Sequence, residues 1–528
     1  MPWQWFRKDR AAVLDALRRG ERPTAASTFA LTELDELAYL ASMLGVFDAL
    51  HLLHPKRARS GVPDDLLLST LAVLPFVAAW SLSEAAKTLF RDAPILLQIG
   101  YTALNLQNGF NKRYHNASGH KACSSLPVHP DVLRDELARL DPENLREFSE
   151  QCTRRLYQRG LVRGHVYAVD ATGLHDDWTL VLLMNVTRAR GIVVGWRLLR
   201  FHASEKGAGG AITLPLVDSL LGCGGSGGPG AIELLVADAE YADGPLLAQL
   251  KWGEGPLGRP RGIDTLVRLP EDREAYGDMQ GQVRLALLEE AAKDGQAERL
   301  WTEHREVRYI AGQKQDRRVG AASFAELQTW DGFRNEARRL GVGEGKAKLW
   351  GALVQELSPK EQPLEKALGL IGTRSFPSAW AGYCVYRDRW EIENAGFREL
   401  KEGWHLEEAQ WGRSEAVVAG RVAFTVVDFN VAQVYKGQQG KHLLEMGIRR
   451  LRQELQGQYG PTPVVIFIGR HYGILAVEEL LDAVGRPAAD SLRPWGGRDG
   501  PPGLGLAESE RAPPRGRQGC VEGHRDTQ

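Results

Sequence analysis

The spacing of apolar residues divides this chain of 528 residues into a helical first part and a middle part that contains strands. Up to about residue 160, apolar positions recur every three or four residues, and Pro and Gly separate the runs. This pattern predicts an all-helical module, 1–160. The predicted helices cover residues 9–19, 31–53, 66–74, 82–90, 131–140 and 143–157.

The pattern changes near residue 164, where alternating and continuous apolar runs of strand length begin. The predicted elements are strands at 165–171, 180–186 and 191–200, a helix at 212–221, a strand at 231–237, a helix at 244–251 and a strand at 264–269. The order β-β-β-α-β-α-β is that of a ribonuclease-H-like core, whose mixed sheet carries acids on its first and fourth strands. The predicted fold class is therefore α/β, with residues 161–269 as the first part of this core.

The rest of the chain is divided by composition and periodicity. Residues 270–380 mix polar and apolar stretches and are interpreted as an inserted α+β subdomain, rich in strands. Helices are predicted at 381–436, which would complete the core, and at 437–485. The tail, 486–528, is rich in Gly, Pro and Arg, a composition that predicts disorder.

Two acidic residues end apolar runs of strand length. Asp170 completes a strand face that begins with Val166 and Ala168, and Asp238 follows the run at 231–237. A single Asp in such a place most often caps a turn. Two of them, on the first and fourth strands of the predicted sheet, instead favour a common site.

A third acid lies far downstream in a helical stretch. Tyr386, Arg389 and Glu393 are separated by three and then four residues, so that one side of a helix carries all three. Glu391 would face nearly the opposite side, where a solvated carboxylate is expected. Position therefore selects Glu393 as the third acid.

Three carboxylates beside an arginine suit metal-assisted phosphoryl chemistry. Phosphodiester transfer by two divalent ions requires hard oxygen ligands on a rigid platform that holds the ions about 3.5 to 4 Å apart. Carboxylates meet this requirement. The sequence therefore predicts a metal site formed by Asp170, Asp238 and Glu393.

Composition adds few constraints. Lys and Arg number 66 and Asp and Glu number 67, so the net charge of −1 gives no overall sign of nucleic-acid binding, although basic residues cluster at 56–59, 112–113 and 449–452. Five scattered cysteines without CxxC spacing, and an N-terminus without an apolar core, predict a reduced cytoplasmic protein. The apolar run 66–80 is too short for a membrane span of about 20 residues and predicts a buried helix.

The stretch from Tyr386 to Lys401 resembles the signature of a group of DDE transposases of bacterial insertion sequences, Y-x2-R-x3-E-x6-K. Tyr386, Arg389 and Glu393 match it in identity and spacing, and the resemblance covers roughly residues 160–435. Lys401 comes one residue late. The extra residue, for which Gly396 is the candidate, would turn the lysine on an ideal helix by about 100° unless a π-bulge absorbs it.

The resemblance implies that Asp170, Asp238 and Glu393 are catalytic and bind two Mg²⁺ or Mn²⁺ ions in a ribonuclease-H-like core. It also implies cleavage of double-stranded DNA at the terminal inverted repeats of a mobile element, and strand transfer into target DNA by a homodimer or larger synaptic complex. Tyr386 and Lys401, with the arginine between them, would contact DNA phosphates. The helical N-terminus would recognise the element ends, the protein would be cytoplasmic and associated with the nucleoid, and no membrane partner is expected.

Several alternatives stay open at the level of sequence. A structure-selective nuclease with the same core would cleave DNA without joining strands, and a catalytically silent relative would only bind it. Ser81 followed by Glu84 is typical of a helix N-terminus, compatible with a helix-turn-helix or with a bundle that does not contact DNA. Trp301, Trp330 and Trp350 are candidates to stack on an unpaired base, although core packing is the favoured interpretation.

Overall fold

The computed structural model of the protein describes most of the chain. The described residues are 6–53, 61–110, 114–115, 121–122, 127–174, 178–187, 191–200, 208–224, 232–292, 300–310, 313–327, 329–357, 364, 367–408, 411–440, 443, 446–457 and 463–485. The predicted tail, 486–528, and the basic clusters at 56–59 and 112–113 lie outside this range.

Helices fill most of the first part of the chain and recur beyond it. Several begin at a capping side chain: Ser81 accepts a hydrogen bond from the backbone N–H of Glu84, and Ser378 accepts one from that of Ala381. The α-helices of the described residues are α1 (Arg10–Arg18), α2 (Thr32–Met43), α3 (Val46–Ala49), α4 (Asp64–Val73), α5 (Leu82–Leu89), α6 (Ala93–Gln98), α7 (Ala103–Asn108), α8 (Pro130–Leu137), α9 (Pro142–Gln158), α10 (Ala208–Gly224), α11 (Gly244–Trp252), α12 (Glu274–Ala292), α13 (Asp331–Arg339), α14 (Ala379–Arg387), α15 (Glu415–Gln439), α16 (Ile448–Gly457) and α17 (Val477–Ala483).

Tighter and wider helical turns occur as well. The 3₁₀ turns are Leu50–Leu52, Leu74–Val77, Ala239–Tyr241 and Glu344–Lys346, and π-helix forms at Ile392–Phe397 and Glu399–Gly403. The strands are β1 (Arg7–Lys8), β2 (Ala25–Ser27), β3 (Tyr114–His115), β4 (Lys121–Ala122), β5 (Val166–Leu174), β6 (Trp178–Asn185), β7 (Ile192–Arg200), β8 (Leu234–Ala237), β9 (Asp264–Leu269), β10 (Thr302–Ile310), β11 (Gln313–Leu327), β12 (Leu349–Leu357), β13 (Leu368–Gly372), β14 (Val464–Ile468) and β15 (His471–Leu475).

The described residues form two compact units. One, the three-acid unit, is the continuous stretch 157–396 and contains all three predicted acids. The other, the split unit, combines residues up to 156 with residues from 397 onward. The predicted segments 161–269 and 270–380 therefore belong to one compact body.

The three-acid unit is built on one nine-stranded mixed sheet, in the order β10-β11-β12-β13-β9-β8-β5-β6-β7. In its half from β7 to β9, β5 runs antiparallel to β6 and β6 to β7, whereas β8 runs parallel to both β5 and β9. The predicted order β-β-β-α-β-α-β and the α/β class are confirmed. The four residues of β8 are all buried, as expected for a short apolar strand between two parallel neighbours.

The inserted strands continue the same sheet. β13 pairs antiparallel with β9, and β12, β11 and β10 follow in turn, each antiparallel to the one before. On one face, α14 packs through Trp380 and Tyr386 on a buried cluster that includes Leu234, Val236 and Leu266. The insertion therefore extends the sheet that carries the acids.

The split unit contains a four-stranded sheet in the order β1-β15-β14-β2. The prediction of a module without strands is therefore wrong at β1 and β2, and the helical prediction for 437–485 is wrong at β14 and β15. A short apolar run such as Val464–Ile468 fits a strand and a buried helix equally well, and its partner β2 lies near the other end of the chain. Long-range pairing of this kind leaves no local pattern.

The longest helix of the split unit is a core helix. α15 is long and apolar enough to cross a membrane by length and composition, yet its most apolar stretch is buried inside the protein throughout, as in a soluble protein. A second candidate by composition, residues 64–77 with 82–89, is bent by 102°. The apolar run 66–80 is thus a buried helix followed by a 3₁₀ turn, as its length predicts.

Of the described cysteines, Cys152 is free and buried, and Cys384 is disulfide-bonded. The disulfide corrects the prediction of a fully reduced chain. Spacing along the sequence shows paired metal or redox motifs, but it does not show which distant sulfurs a fold brings within bonding distance.

α15 also buries a carboxyl group without a partner. Asp428 is fully buried, and neither of its carboxyl oxygens has a hydrogen-bond partner among the described residues. Burial raises the pKa of Asp428 well above its usual value. The folded state thus holds a proton that the unfolded chain releases, so stability falls as pH rises above the pKa of the unfolded chain.

We expect Asp428→Asn to remove this pH dependence, because the amide resembles the neutral acid in shape and carries no charge at any pH. At pH 8 its free energy of unfolding should exceed that of the wild type by about 1 to 3 kcal/mol, with little difference near pH 4. Urea unfolding across this pH range measures the effect. The exposed Asp135→Asn on α8 is the control, and parallel pH profiles for wild type and Asp428→Asn would contradict the expectation.

Candidate active site

The first two acids share one face of the sheet. Val166, Ala168 and Asp170 point to the same side of β5, and the parallel register sets Leu234 and Val236 beside them. Asp238 follows β8 directly, at the start of a 3₁₀ turn. Two neighbouring parallel strands thus deliver both acids to the sheet face that α14 covers.

Arg389 links the first and third acids. Its Nη1 atom lies 2.9 Å from Oδ2 of Asp170 and 2.6 Å from Oε1 of Glu393. Arg389 is 5% exposed, while the Glu393 side chain is about half exposed. The structure therefore brings Asp170 and Glu393 to the same guanidinium nitrogen, although 219 residues separate Asp170 from Arg389.

Asp238 joins the cluster through Tyr386. The phenol of Tyr386 donates a hydrogen bond to Oδ1 of Asp238 at 3.3 Å, and the guanidinium of Arg389 lies over the tyrosine ring, 5.5 Å from its centroid. Burial raises the pKa of Tyr386 to about 12, so the phenol stays protonated and can donate. Two of the three residues spaced along the helical stretch thus contact the strand acids: Tyr386 contacts Asp238, and Arg389 contacts Asp170.

The electrostatics of Asp170 respond to both of the other acids. Burial raises the pKa of Asp170 to about 6; the backbone N–H of Ala171 and the Arg389 guanidinium oppose the rise, and Glu393 and Asp238 add to it. Tyr241 was not predicted from the sequence. Burial chiefly raises the pKa of its phenol, and Asp170 and Asp238 contribute.

The wide helical turns fall where the signature has its extra residue. Residues Ile392–Phe397, which include Gly396, form π-helix, and Glu399–Gly403 does so again. A π turn holds one residue more than an α turn, which is how such a segment accommodates an insertion. Lys401 belongs to the split unit and forms an ion pair with Glu407, and its role in DNA binding stays a prediction.

The tryptophans suggested by the sequence as base-stacking candidates differ in burial from Trp390. Trp301 and Trp350 are buried, in agreement with core packing, and Trp330 is partly buried. Trp390, between Arg389 and Glu391, is 42% exposed. The burial of these rings depends on tertiary packing and has no signal in local composition.

One further basic residue faces the site. In the register of β8 and β9, Val236 is opposite Leu266, so Arg268 points to the sheet face that carries the acids. Arg268 is exposed and acts on the phenol of Tyr386. In the sequence, the only sign that Arg268 faces the acids is its position two residues after Leu266 on the same predicted strand.

The donor set suits a hard divalent cation. All three acids are carboxylates, the oxygen donors that hard divalent cations prefer. In the described structure, Arg389 is the only cation that touches two of them, and the charges of Glu393 and Asp238 add to the rise in the pKa of Asp170 that burial causes. The buried Nε of Arg389 has no hydrogen-bond partner among the described residues. Within those residues, no group of three or more His, Cys, Asp or Glu side chains is placed so that it could hold a metal ion.

A cavity of about 1060 Å³ lies on the other face of the sheet. Ala171, Thr179 and Val181 line it from the strands, and Glu240 and Asp243 line it from the loop after Asp238. Because neighbouring residues of a strand point to opposite faces, this cavity is separate from the site of Asp170.

No protein-family model matches the chain, and no curated protein matches it.

Proposed function

We propose that the protein is a DDE transposase, which cleaves DNA strands at the ends of a mobile element and joins them to target DNA. The single observation that carries the proposal is the meeting of Asp170, Asp238 and Glu393 around Arg389 and Tyr386. The acids come from two neighbouring parallel strands and from the helical segment after a long insertion.

The strand order supports a ribonuclease-H-like core. Counted along the chain, the strands from β7 to β9 stand in the order 3-2-1-4-5, with the first three antiparallel and the last two parallel to the first. In this arrangement the first acid lies on the first strand and the second acid follows the fourth. The insertion between the last core strand and the third acid supports the same assignment.

Asp170, Asp238 and Glu393 would hold two Mg²⁺ or Mn²⁺ ions, which when bound supply an activated oxygen nucleophile and stabilise the leaving oxygen. Arg389 orients Asp170 and Glu393. Tyr386 holds Asp238 in place. Tyr386, Arg389 and Lys401 contact DNA phosphates in this proposal.

The split unit would recognise the element ends. α4 with its 3₁₀ turn meets α5 at a bend of 102°, within the range of a helix-turn-helix.

Arg268, on the sheet face that carries the acids, would add a phosphate contact. Assembly as a homodimer or larger synaptic complex, and a cytoplasmic location with the nucleoid, belong to the same proposal.

The proposal is tested with the full-length protein and the DNA that flanks its gene. Linear duplexes that end in the short inverted repeats outside the coding region are incubated with Mg²⁺ or Mn²⁺ and a supercoiled target plasmid. We expect nicks at the repeat termini and covalently joined products. Cleavage without joining would favour the structure-selective nuclease.

We expect metal-dependent cleavage to weaken as pH falls through about 6. The pKa of Asp170 is about 6, and a carboxyl group must be ionised to bind a divalent cation. At subsaturating Mg²⁺, kcat/KM should fall about tenfold for each pH unit below that value. DNA binding without metal, measured over the same pH series, is the control, and a flat cleavage profile from about pH 5 to 8 would contradict this expectation.

A second candidate function is binding of DNA without cleavage. The observation that favours it is the position of Arg389, whose guanidinium already neutralises Asp170 and Glu393. A silent relative would bind the repeats in a salt-dependent manner and show no nicking with Mg²⁺ or Mn²⁺. The same cleavage assay therefore separates the two candidates.

A further inference from the structure

The split unit exposes an aromatic ring in an unusual setting. Trp80, just before α5, is 51% exposed and is the most exposed tryptophan of the described residues. Its ring rests against the imidazole of His405, with 4.2 Å between the ring centroids. About half of the Trp80 side chain is thus exposed to solvent, while one side of its ring packs against His405.

The supporting histidine is held rigidly. His405 is 3% exposed and has a left-handed backbone, with φ at 56°, a conformation that tends to occur where surrounding contacts determine it. It comes two residues after the π-helix Glu399–Gly403, and π-helix is frequent at functional sites. The imidazole that supports Trp80 is therefore buried and lies on a locally left-handed backbone.

A cation is attached to the same imidazole. Nη2 of Arg449 lies 2.6 Å from Nε2 of His405. Since a guanidinium only donates, Nε2 accepts and the ring is neutral. Burial first, and then Arg449, lower the pKa of His405, while Glu408 and Glu84 oppose the shift.

The guanidinium is available for an anion. Arg449 is exposed at the start of α16, and Arg450 beside it is exposed too. Five N–H groups belong to the guanidinium, of which the contact with His405 uses one. A supported, exposed indole and a fixed cation thus lie next to each other, which matches a flat base joined to a phosphate.

We propose that Trp80, His405 and Arg449 form a subsite for an unpaired nucleobase and the phosphate next to it. The base stacks on the part of Trp80 that His405 does not cover, and Arg449 binds the phosphate. The inference rests on the proposed function in that the ligand is DNA. It adds a single-strand contact on the split unit to the contacts proposed at the three acids.

The test compares full-length variants in their binding of oligothymidylate and of a blunt duplex without repeats. Trp80→Leu, which keeps apolar volume, should bind the single strand about 5- to 150-fold more weakly, the range that the loss of one stacked base produces. Trp80→Phe, which keeps a ring, should retain most of the affinity. Arg449→Ala should weaken binding and reduce its salt dependence by about one phosphate contact.

The exposed Phe29→Ala, also on the split unit, is the matched control and should bind like the wild type. A second readout reports stacking directly and is measured at saturation, so it does not depend on affinity. The fluorescence of 2-aminopurine in the oligonucleotide should be quenched when wild-type protein binds, less by Trp80→Phe and not at all by Trp80→Leu at saturation.

Equal affinities for Trp80→Leu and Phe29→Ala, or equal quenching by Trp80→Leu and wild type, would overturn the subsite; either result would leave a contact with another protein as the role of the exposed ring. Failure of the proposed function is recognised separately. Ring-dependent binding of the single strand with no cleavage of element ends would retain the subsite and reject the transposase, and cleavage without ring-dependent binding would do the reverse.

Discussion

Asp170→Ala is expected to abolish metal-dependent cleavage while leaving DNA binding largely unchanged. Asp170 is the acid whose pKa responds to both other acids and to Arg389, so its removal takes away the centre of the cluster. Loss of a residue that merely supports a metal ligand commonly costs about 10- to 100-fold, and loss of a ligand itself should exceed that range. Binding depends on phosphate contacts spread over other residues and should persist.

Single-turnover cleavage of a labelled duplex measures this effect, together with Glu393→Gln, for which the same loss is expected. Glu391→Gln is the matched control, since it makes the same chemical change two residues away and Glu391 does not contact Arg389 through any described ion pair. If Asp170→Ala or Glu393→Gln cleaves at close to the wild-type rate, the assignment of the acids is wrong.

Arg389→Ala is expected to destabilise the metal-free protein and to make its stability depend strongly on divalent cations. The substitution leaves Asp170 and Glu393 without their shared partner, which should lower the free energy of unfolding by about 2 to 4 kcal/mol. A divalent cation should then stabilise the variant more than the wild type, because the guanidinium no longer competes for the carboxylates.

Thermal unfolding of wild type and variant, with and without Mn²⁺, measures the difference. Arg387→Ala is the matched control: Arg387 is the last residue of α14, two residues before Arg389, and it pairs with Glu306. It should lower stability without changing the response to Mn²⁺. An equal shift with Mn²⁺ in wild type and Arg389→Ala would show that the arginine and the metal do not share these ligands.

The core of the three-acid unit could be predicted from the sequence because its signals are local. β9 begins and ends at the predicted residues, and β5, β8 and α11 lie within a few residues of theirs. Each is a short apolar run with clear ends. The spacing of Tyr386, Arg389 and Glu393 likewise predicted a shared face, which the contacts of Arg389 now make specific.

What could not be predicted depends on distant parts of the chain. No periodicity shows that Ala25–Ser27 pairs with Val465–Phe467, or that Trp80 meets His405. The prediction for Arg389 was also incomplete. A phosphate contact was predicted for it, whereas in the described structure it binds two of the acids. Sequence indicates which residues share a helix face and leaves open what lies opposite that face.

The split unit has a consequence for synthesis of the protein. Its N-terminal helices and β2 emerge from the ribosome first, but the strand that β2 pairs with, and α15, follow only after the stretch 157–396. At about 5 to 20 residues per second, that stretch takes roughly 10 to 50 seconds to translate. During this interval the first part of the chain lacks its buried core helix, so a nascent chain must carry exposed apolar surface that a chaperone would cover.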